Sequence, residues 1–254
     1  MVRFEAEVYR TDRFDVLVCG SGPSGLAAAV QAARGGLSVG LVERNGCFGG
    51  NMTSGGVCHL LGGRRWDDKT KRMVREVGGL FDEITDALIA EGNAVDPDSI
   101  DAENYNPFGW YPRMAAGIPC DVEALKYYLD NLLIGLGIKY YLFTTVLGAD
   151  VVDRTVKRLY ASDQSGIRAF EAKTFIDATG DAQLAFLCGC PVLKGRDEDH
   201  LMTPATLIAH IDNVDMDEYV RYQNAHKSPK LIEIIKRLKE TGQWEFPFEI
   251  FIAI

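Results

Sequence analysis

Residues Phe14 to Gly50 read FDVLVCGSGPSGLAAAVQAARGGLSVGLVERNGCFGG, and the rest of the chain is organised around them. Asp15 to Cys19 is a short apolar run bounded by glycine, as a strand covered on both faces would be. After the loop Gly20-Ser-Gly-Pro-Ser-Gly25, the small residues of Leu26 to Ala33 make a helix able to lie close on a sheet. Gly35 and Gly36 stop that helix, and Leu37 to Val42 is the second strand.

The glycines of the loop have separate tasks. Gly20 permits a tight turn out of the strand, Gly22 lets the backbone approach a pyrophosphate, and Gly25 lets helix and strand pack closely. The helix then begins with free N–H groups and the positive end of its dipole facing the phosphates. Gly20, Gly22, Pro23, Ser24 and Gly25 are therefore the candidate phosphate-side residues. Glu43 ends the second strand, where a carboxylate can accept hydrogen bonds from ribose hydroxyls and would repel a 2′-phosphate. Strand, loop, helix, strand and acid in this order predict dinucleotide binding, with NADP disfavoured.

Two further stretches narrow the dinucleotide. Glu43-Arg44 is followed by Gly49-Gly50 and Asn51-Met-Thr-Ser-Gly-Gly56, and far downstream stands Thr174-Phe-Ile-Asp-Ala-Thr-Gly-Asp181. On these motifs the first 200 or so residues resemble FAD-dependent oxidoreductases with a glutathione-reductase-type fold, related to the flavoprotein subunits of fumarate reductase and succinate dehydrogenase. The resemblance implies FAD as cofactor and a small-molecule substrate. It implies that Arg44, Gly49 and Gly50 lie along the cofactor toward its flavin side, that Gly180 and Asp181 form a second contact, and that the backbone of Val146 touches adenine. In the succinate dehydrogenase relatives a histidine bonded to the flavin follows the double glycine. Here that slot holds Met52, so the flavin is expected to be held non-covalently. Two other functions remain open: a plain NAD-dependent dehydrogenase, and a non-catalytic binding module of the same fold.

Composition excludes several classes. With 47% hydrophobic and 25% charged residues the chain can bury a sizeable core, and its net charge of −9 repels nucleic acid and anionic membranes. The first fourteen residues have no signal-peptide apolar core, which makes a cytoplasmic protein the expectation. Six cysteines without a CxxC pair read as reduced thiols, and four scattered histidines give no metal-ligand spacing. The oligomeric state cannot be read from the sequence.

Along the chain, residues 1–13 are expected to be a tail or an added edge segment, residues 14–200 the FAD-binding domain, and residues 201–254 part of a substrate or cap domain. Asn51 to Gly63 reads as a glycine-rich loop in which Cys58 and His59 are packing residues or flavin neighbours. Leu80 to Glu91 reads as an amphipathic helix. The proline-broken stretch 93–119 is an excursion whose Trp110, Tyr111 and Arg113 could line a substrate pocket. Asp121 caps a helix with an inward stripe of Leu125, Leu129, Leu132, Leu133 and Leu136, followed by a strand over Ile138–Phe143. Val146–Asp153, Thr155–Ser162 and Ile167–Ala172 read as a meander, after which Thr174–Ala178 re-enters the sheet. A short helix from Asp181, a strand over Leu201–Ile211 carrying His210, and a helix started by Ser228-Pro229 complete the reading.

The fold class is thus α/β: a mostly parallel, doubly wound, Rossmann-like sheet with a β-meander and the start of a capping domain. The apolar ending Phe248–Ile254 is expected to need a partner strand, as in a chain continued beyond this point.

Overall fold

The computed structural model describes residues 5–100, 103–106, 117–205 and 211–247. In chain order these give β1 (Val8–Cys19), α1 (Pro23–Arg34), β2 (Val39–Val42), β3 (His59–Leu60), β4 (Arg64–Asp67), β5 (Arg72–Arg75) and α2 (Leu80–Ala90). There follow β6 (Ile118–Pro119), α3 (Val122–Gly135), β7 (Lys139–Tyr141), β8 (Thr145–Val152), β9 (Thr155–Asp163), β10 (Gly166–Asp177), α4 (Gln183–Leu187), α5 (Met216–His226) and α6 (Ile232–Glu240). They fall into two compact units, residues 1–58 with 121–207 and residues 59–120 with 208–254.

The first unit is built on a six-stranded sheet ordered β7-β2-β1-β10-β9-β8. β7, β2, β1 and β10 are parallel, and β9 and β8 continue from β10 as antiparallel strands. This is a mixed, Rossmann-like α/β sheet with flanking helices, as the alternating strands and helices of the sequence require. β2 is buried at all four positions, so both its faces are covered. Leu17, Cys19, Val42, Val146, Leu159, Ala161, Phe170 and Leu184 form one buried apolar cluster. α1 buries Gly25, Leu26, Ala29 and Val30. In α3, Asp121 accepts a hydrogen bond from the Ala124 N–H at 2.9 Å, and Leu125, Leu129 and Leu133 are fully buried. Each such leucine contributes up to about 2 kcal/mol.

The sheet differs from the sequence reading in two ways. β1 begins at Val8, so residues 8–13 are strand. They show no clear period and read as a tail or an added edge segment; their charges are paired across the strands, Arg13 with Glu171 at 2.8 Å and Arg168 with both Asp12 and Asp163. The last meander strand and the strand returning to the parallel sheet are also one element. β10 pairs with β9 over its first half while pairing with β1 from Val8 to Cys19. Lys173, which falls between the two strands of that reading, bonds to Asp15, and its neighbour Glu171 bonds to Arg13 and Arg158.

The second unit consists of small pieces. β3 pairs with β6, and β4 with β5 in a hairpin whose turn is held by Asp67 accepting from the Thr70 hydroxyl at 2.7 Å. α2 matches its sequence reading to within one residue. α5, absent from that reading, is capped by Asp215, which accepts from the Glu218 N–H at 2.8 Å. α6 starts at Ile232 rather than at Ser228-Pro229, because Leu231 adopts a left-handed conformation, φ 41°, just before it. Ile235 carries its burial. Of the expected strand over Leu201–Ile211, residues 201–205 have no regular structure and 206–210 with His210 lie outside the described residues. Trp110, Tyr111, Arg113 and Phe248–Ile254 also lie outside them.

Candidate functional site

At the carboxyl ends of β1, β2 and β10 a cleft of about 500 Å³ opens within the first unit. Ligands of open α/β sheets bind at this edge. Its walls come from the loop after β1, the end of β2, the turn around Gly50 to Gly55, the entry to β8 and the turn after β10.

The first loop is shaped by steric limits. Gly20 has φ +92°, and a Cβ there would stand 2.5 Å from the Ala178 carbonyl oxygen. A Cβ at Gly25 would fall on the carbonyl oxygen of Gly20. At Gly22, which lines the cleft together with Gly20, a Cβ would meet open space. Two glycines therefore bring loop, helix and β10 together, while the third leaves room beside the first turn of α1. Gly22 caps that helix without a side-chain acceptor, and Pro23 occupies its first turn. The first-turn amides and the helix dipole are left for an anion.

Glu43 is 5% exposed. Its Oε2 accepts from the Ser21 N–H at 2.8 Å and the Ser21 hydroxyl at 2.7 Å, and its Oε1 accepts from the Asn45 N–H at 2.8 Å. Three of a carboxylate's roughly four acceptor positions are thus used within the chain, leaving one on Oε1 for a ligand hydroxyl. Arg44 beside it is exposed, lines the cleft and has no ion pair among the described residues.

Gly49 and Gly50 sit at φ +109° and +57°. The Gly49 N–H donates to the Ser21 carbonyl at 2.9 Å, which ties the double-glycine turn to the first loop. A Cβ at Gly50 would stand 2.9 Å from the Gly22 Cα. Gly50 reaches the cleft and the buried Gly49 supports it from behind.

The turn after β10 is organised by side chains. Asp177 Oδ1 accepts from the Thr179 N–H at 2.9 Å and its hydroxyl at 2.7 Å, while Oδ2 accepts from the Ala185 N–H at 2.8 Å. The Thr179 hydroxyl in turn accepts from the Gln183 N–H at 2.7 Å. Gly180 and Asp181, presented by this turn, are exposed and line the cleft. Val146 is there too, with its carbonyl accepting from Gln183 Nε2 at 2.9 Å.

Of the candidate cofactor residues, Gly20, Gly22, Pro23, Ser24, Glu43, Arg44, Gly50, Val146, Gly180 and Asp181 line this cleft, and Gly25 and Gly49 shape it. Ser21, Asn45, Asn51, Thr144, Asp177, Thr179 and Gln183 were not singled out in the sequence. Asp177 had a signal: an acid inside an apolar strand has to be satisfied by nearby donors. Cys58 and His59 do not line the cleft. Buried Cys19 beneath it has its thiol pushed up to about 12 by burial, with Asp177 and Cys188 adding to the effect, so it is no nucleophile. Among the described residues no group of three or more His, Cys, Asp and Glu could hold a metal, and no helix is long and apolar enough to cross a membrane.

The sequence matches the family described as FAD dependent oxidoreductase over residues 15–248. The chain belongs to this family. A Dictyostelium discoideum protein named provisionally as a bifunctional amine oxidase is 37% identical over 84 residues, 33% of this chain and 8% of that protein. The soluble pyridine nucleotide transhydrogenase of Chromohalobacter salexigens is 40% identical over 70 residues, 26% of this chain and 15% of that one. Among solved structures, a geranylgeranyl bacteriochlorophyll reductase-like protein from Thermoplasma acidophilum covers 76% of this chain and 44% of its own, with 17% identity and a TM-score of 0.44. The matched part is less than half the length of each of these proteins. In this member of the FAD dependent oxidoreductase family, the cleft combines an open position at Gly22, a helix end without a side-chain cap, and one spare carboxylate acceptor at Glu43.

Proposed function

We propose that this member of the FAD dependent oxidoreductase family holds FAD non-covalently and transfers a hydride between it and a small-molecule substrate. The observation that carries this reading is the juxtaposition in one cleft of the open Gly22 position, the uncapped α1 and the buried Glu43. Gly20, Gly22, Pro23, Ser24 and Gly25 receive the pyrophosphate, with Gly22 giving it room and α1 its amides. Glu43, fixed by Ser21 and Asn45, accepts a ribose hydroxyl. Arg44, Gly49 and Gly50 bound the path toward the flavin, Val146 the adenine end, and Gly180 with Asp181 the opposite wall. When bound, FAD supplies the hydride-accepting and hydride-donating chemistry, and the chain supplies orientation and electrostatics.

The finer kinship to fumarate reductase and succinate dehydrogenase flavoproteins belongs to the same proposal. So do a division into an FAD-binding domain over 14–200 and a partial cap domain over 201–254, a cytoplasmic setting, and freedom from nucleic acid and membranes.

The test is an absorbance scan of the purified protein followed by denaturation. A flavin spectrum should be present, and the flavin should leave the polypeptide, since Met52 stands in the slot of the bonding histidine. Colour retained on the precipitated chain would defeat the non-covalent reading, and absence of any flavin uptake would defeat the whole. Glu43→Ala should weaken FAD binding about tenfold or more.

A further inference from the structure

We infer that Gln183 selects the base of the dinucleotide, by presenting its side-chain oxygen to an exocyclic amino group. This rests on the FAD reading above and adds a residue that chooses between bases. The Thr144 N–H donates to the Glu43 carbonyl at 2.9 Å, so the chain entering β8 runs directly from the ribose acid. A base attached to a ribose at Glu43 therefore extends along Thr144 to Val146. The carbonyl of Val146, a residue lining the cleft, is engaged by Gln183 Nε2 at 2.9 Å.

That bond also fixes the amide. Only the NH₂ end of a carboxamide can donate to a carbonyl, so Oε1 is the end left over. Gln183 Oε1 accepts no hydrogen bond among the described residues, and Gln183 lines the cleft. Its position is held from two further directions. Its own N–H donates to the Thr179 hydroxyl, which Asp177 orients, and Ala182 before it is in a left-handed conformation, φ 50°, that a non-glycine residue adopts only under local constraint. A fixed, unused acceptor favours a donor on the ligand. Adenine offers its 6-amino group. Hypoxanthine offers a 6-keto oxygen, which would face Oε1 with two acceptors opposed and neither satisfied.

The test compares FAD with its deaminated analogue, in which hypoxanthine replaces adenine. Both are titrated into the full chain freed of flavin, with quenching of flavin fluorescence as readout. The wild type should prefer FAD by about tenfold or more. Gln183→Met, close in shape and unable to bond, should bring the ratio near one by losing affinity for FAD. Because a ratio on one folded sample is read, a modest loss of stability does not imitate the effect. A wild type that does not discriminate overturns the inference whether or not the variant folds. Retained discrimination in Gln183→Met overturns it as well, and would assign the amino group to the Val146 carbonyl freed of its side-chain partner. In both cases FAD binding survives and the functional reading stands. A wild type that binds neither dinucleotide removes both.

Discussion

Two turns close neighbouring parallel strands at the same edge of the sheet, and they are made differently. The turn after β1 is a backbone object: Gly20 and Gly25 allow chain segments to come closer than any side chain would permit, and Gly22 leaves open space beside them. The turn after β10 is a side-chain object, in which Asp177 and Thr179 together accept four hydrogen bonds that stand in for regular structure. Steric turns leave a spaced-glycine signature in sequence, whereas a hydrogen-bonded turn leaves one acid and one hydroxyl that resemble ordinary polar residues. The first kind resists gradual change and fails abruptly. The second loosens bond by bond.

The largest effect should follow from breaking the steric turn. Alanine is favoured over glycine in a helix by about 1 kcal/mol, but at Gly25 its Cβ would collide with the Gly20 backbone oxygen. The collision wins, and Gly25→Ala should lose about 3 kcal/mol in urea unfolding; a variant as stable as wild type would mean that the loop can shift. Next, Asp177→Ala strips acceptors from two backbone amides and a hydroxyl and should cost about 2–3 kcal/mol, with Asp177→Asn recovering part. If the alanine variant melted with the wild type, the side-chain account of the second turn would be wrong.

The smallest effect belongs to the same two strands away from both turns. Asp15 bonds Lys173 Nζ at 2.7 Å and accepts from the Ser38 hydroxyl at 2.6 Å, which holds its carboxyl well below the usual carboxylate range. A depressed folded value gives stability that is complete above the unfolded value of 3.8 and is lost as pH falls below it. The difference in unfolding midpoint between wild type and Asp15→Asn should therefore be small at neutral pH and shrink further below about pH 4. A gap that widens on acidification would reverse the sign argued here.

The first crossover could be read from the sequence because each of its parts is locally determined: Val and Leu for a covered strand, glycines for the loop, small residues for the close helix. The leucines of α3 were equally plain, since their spacing alone sets the buried face. What was hidden depends on partners distant in the chain. Residues 8–13 read as either a tail or an edge segment until Glu171 and Arg168 are placed beside them, and β10 looks like two strands until Arg13, Arg158 and Asp15 meet its polar residues. At the site, the glycines and Glu43 were legible from the motif. Gln183 was not, because its bond to Val146 spans 37 residues. The start of α5 had a readable signal in Asp215 with Glu218 three residues on, and it was passed over.

The pairing of β1 with β10 also has a consequence in time. Arg13 and Glu171 lie side by side although 158 residues separate them. On a ribosome adding about 5–20 residues per second, the first strand waits roughly 10–30 s for the neighbour that covers one of its edges. Until then β1 and β2 expose an open parallel edge, and the second wall of the cleft has not been synthesised. Binding in the cleft must therefore follow translation of β10, and until then the nascent chain carries a strand edge open to pairing with other chains.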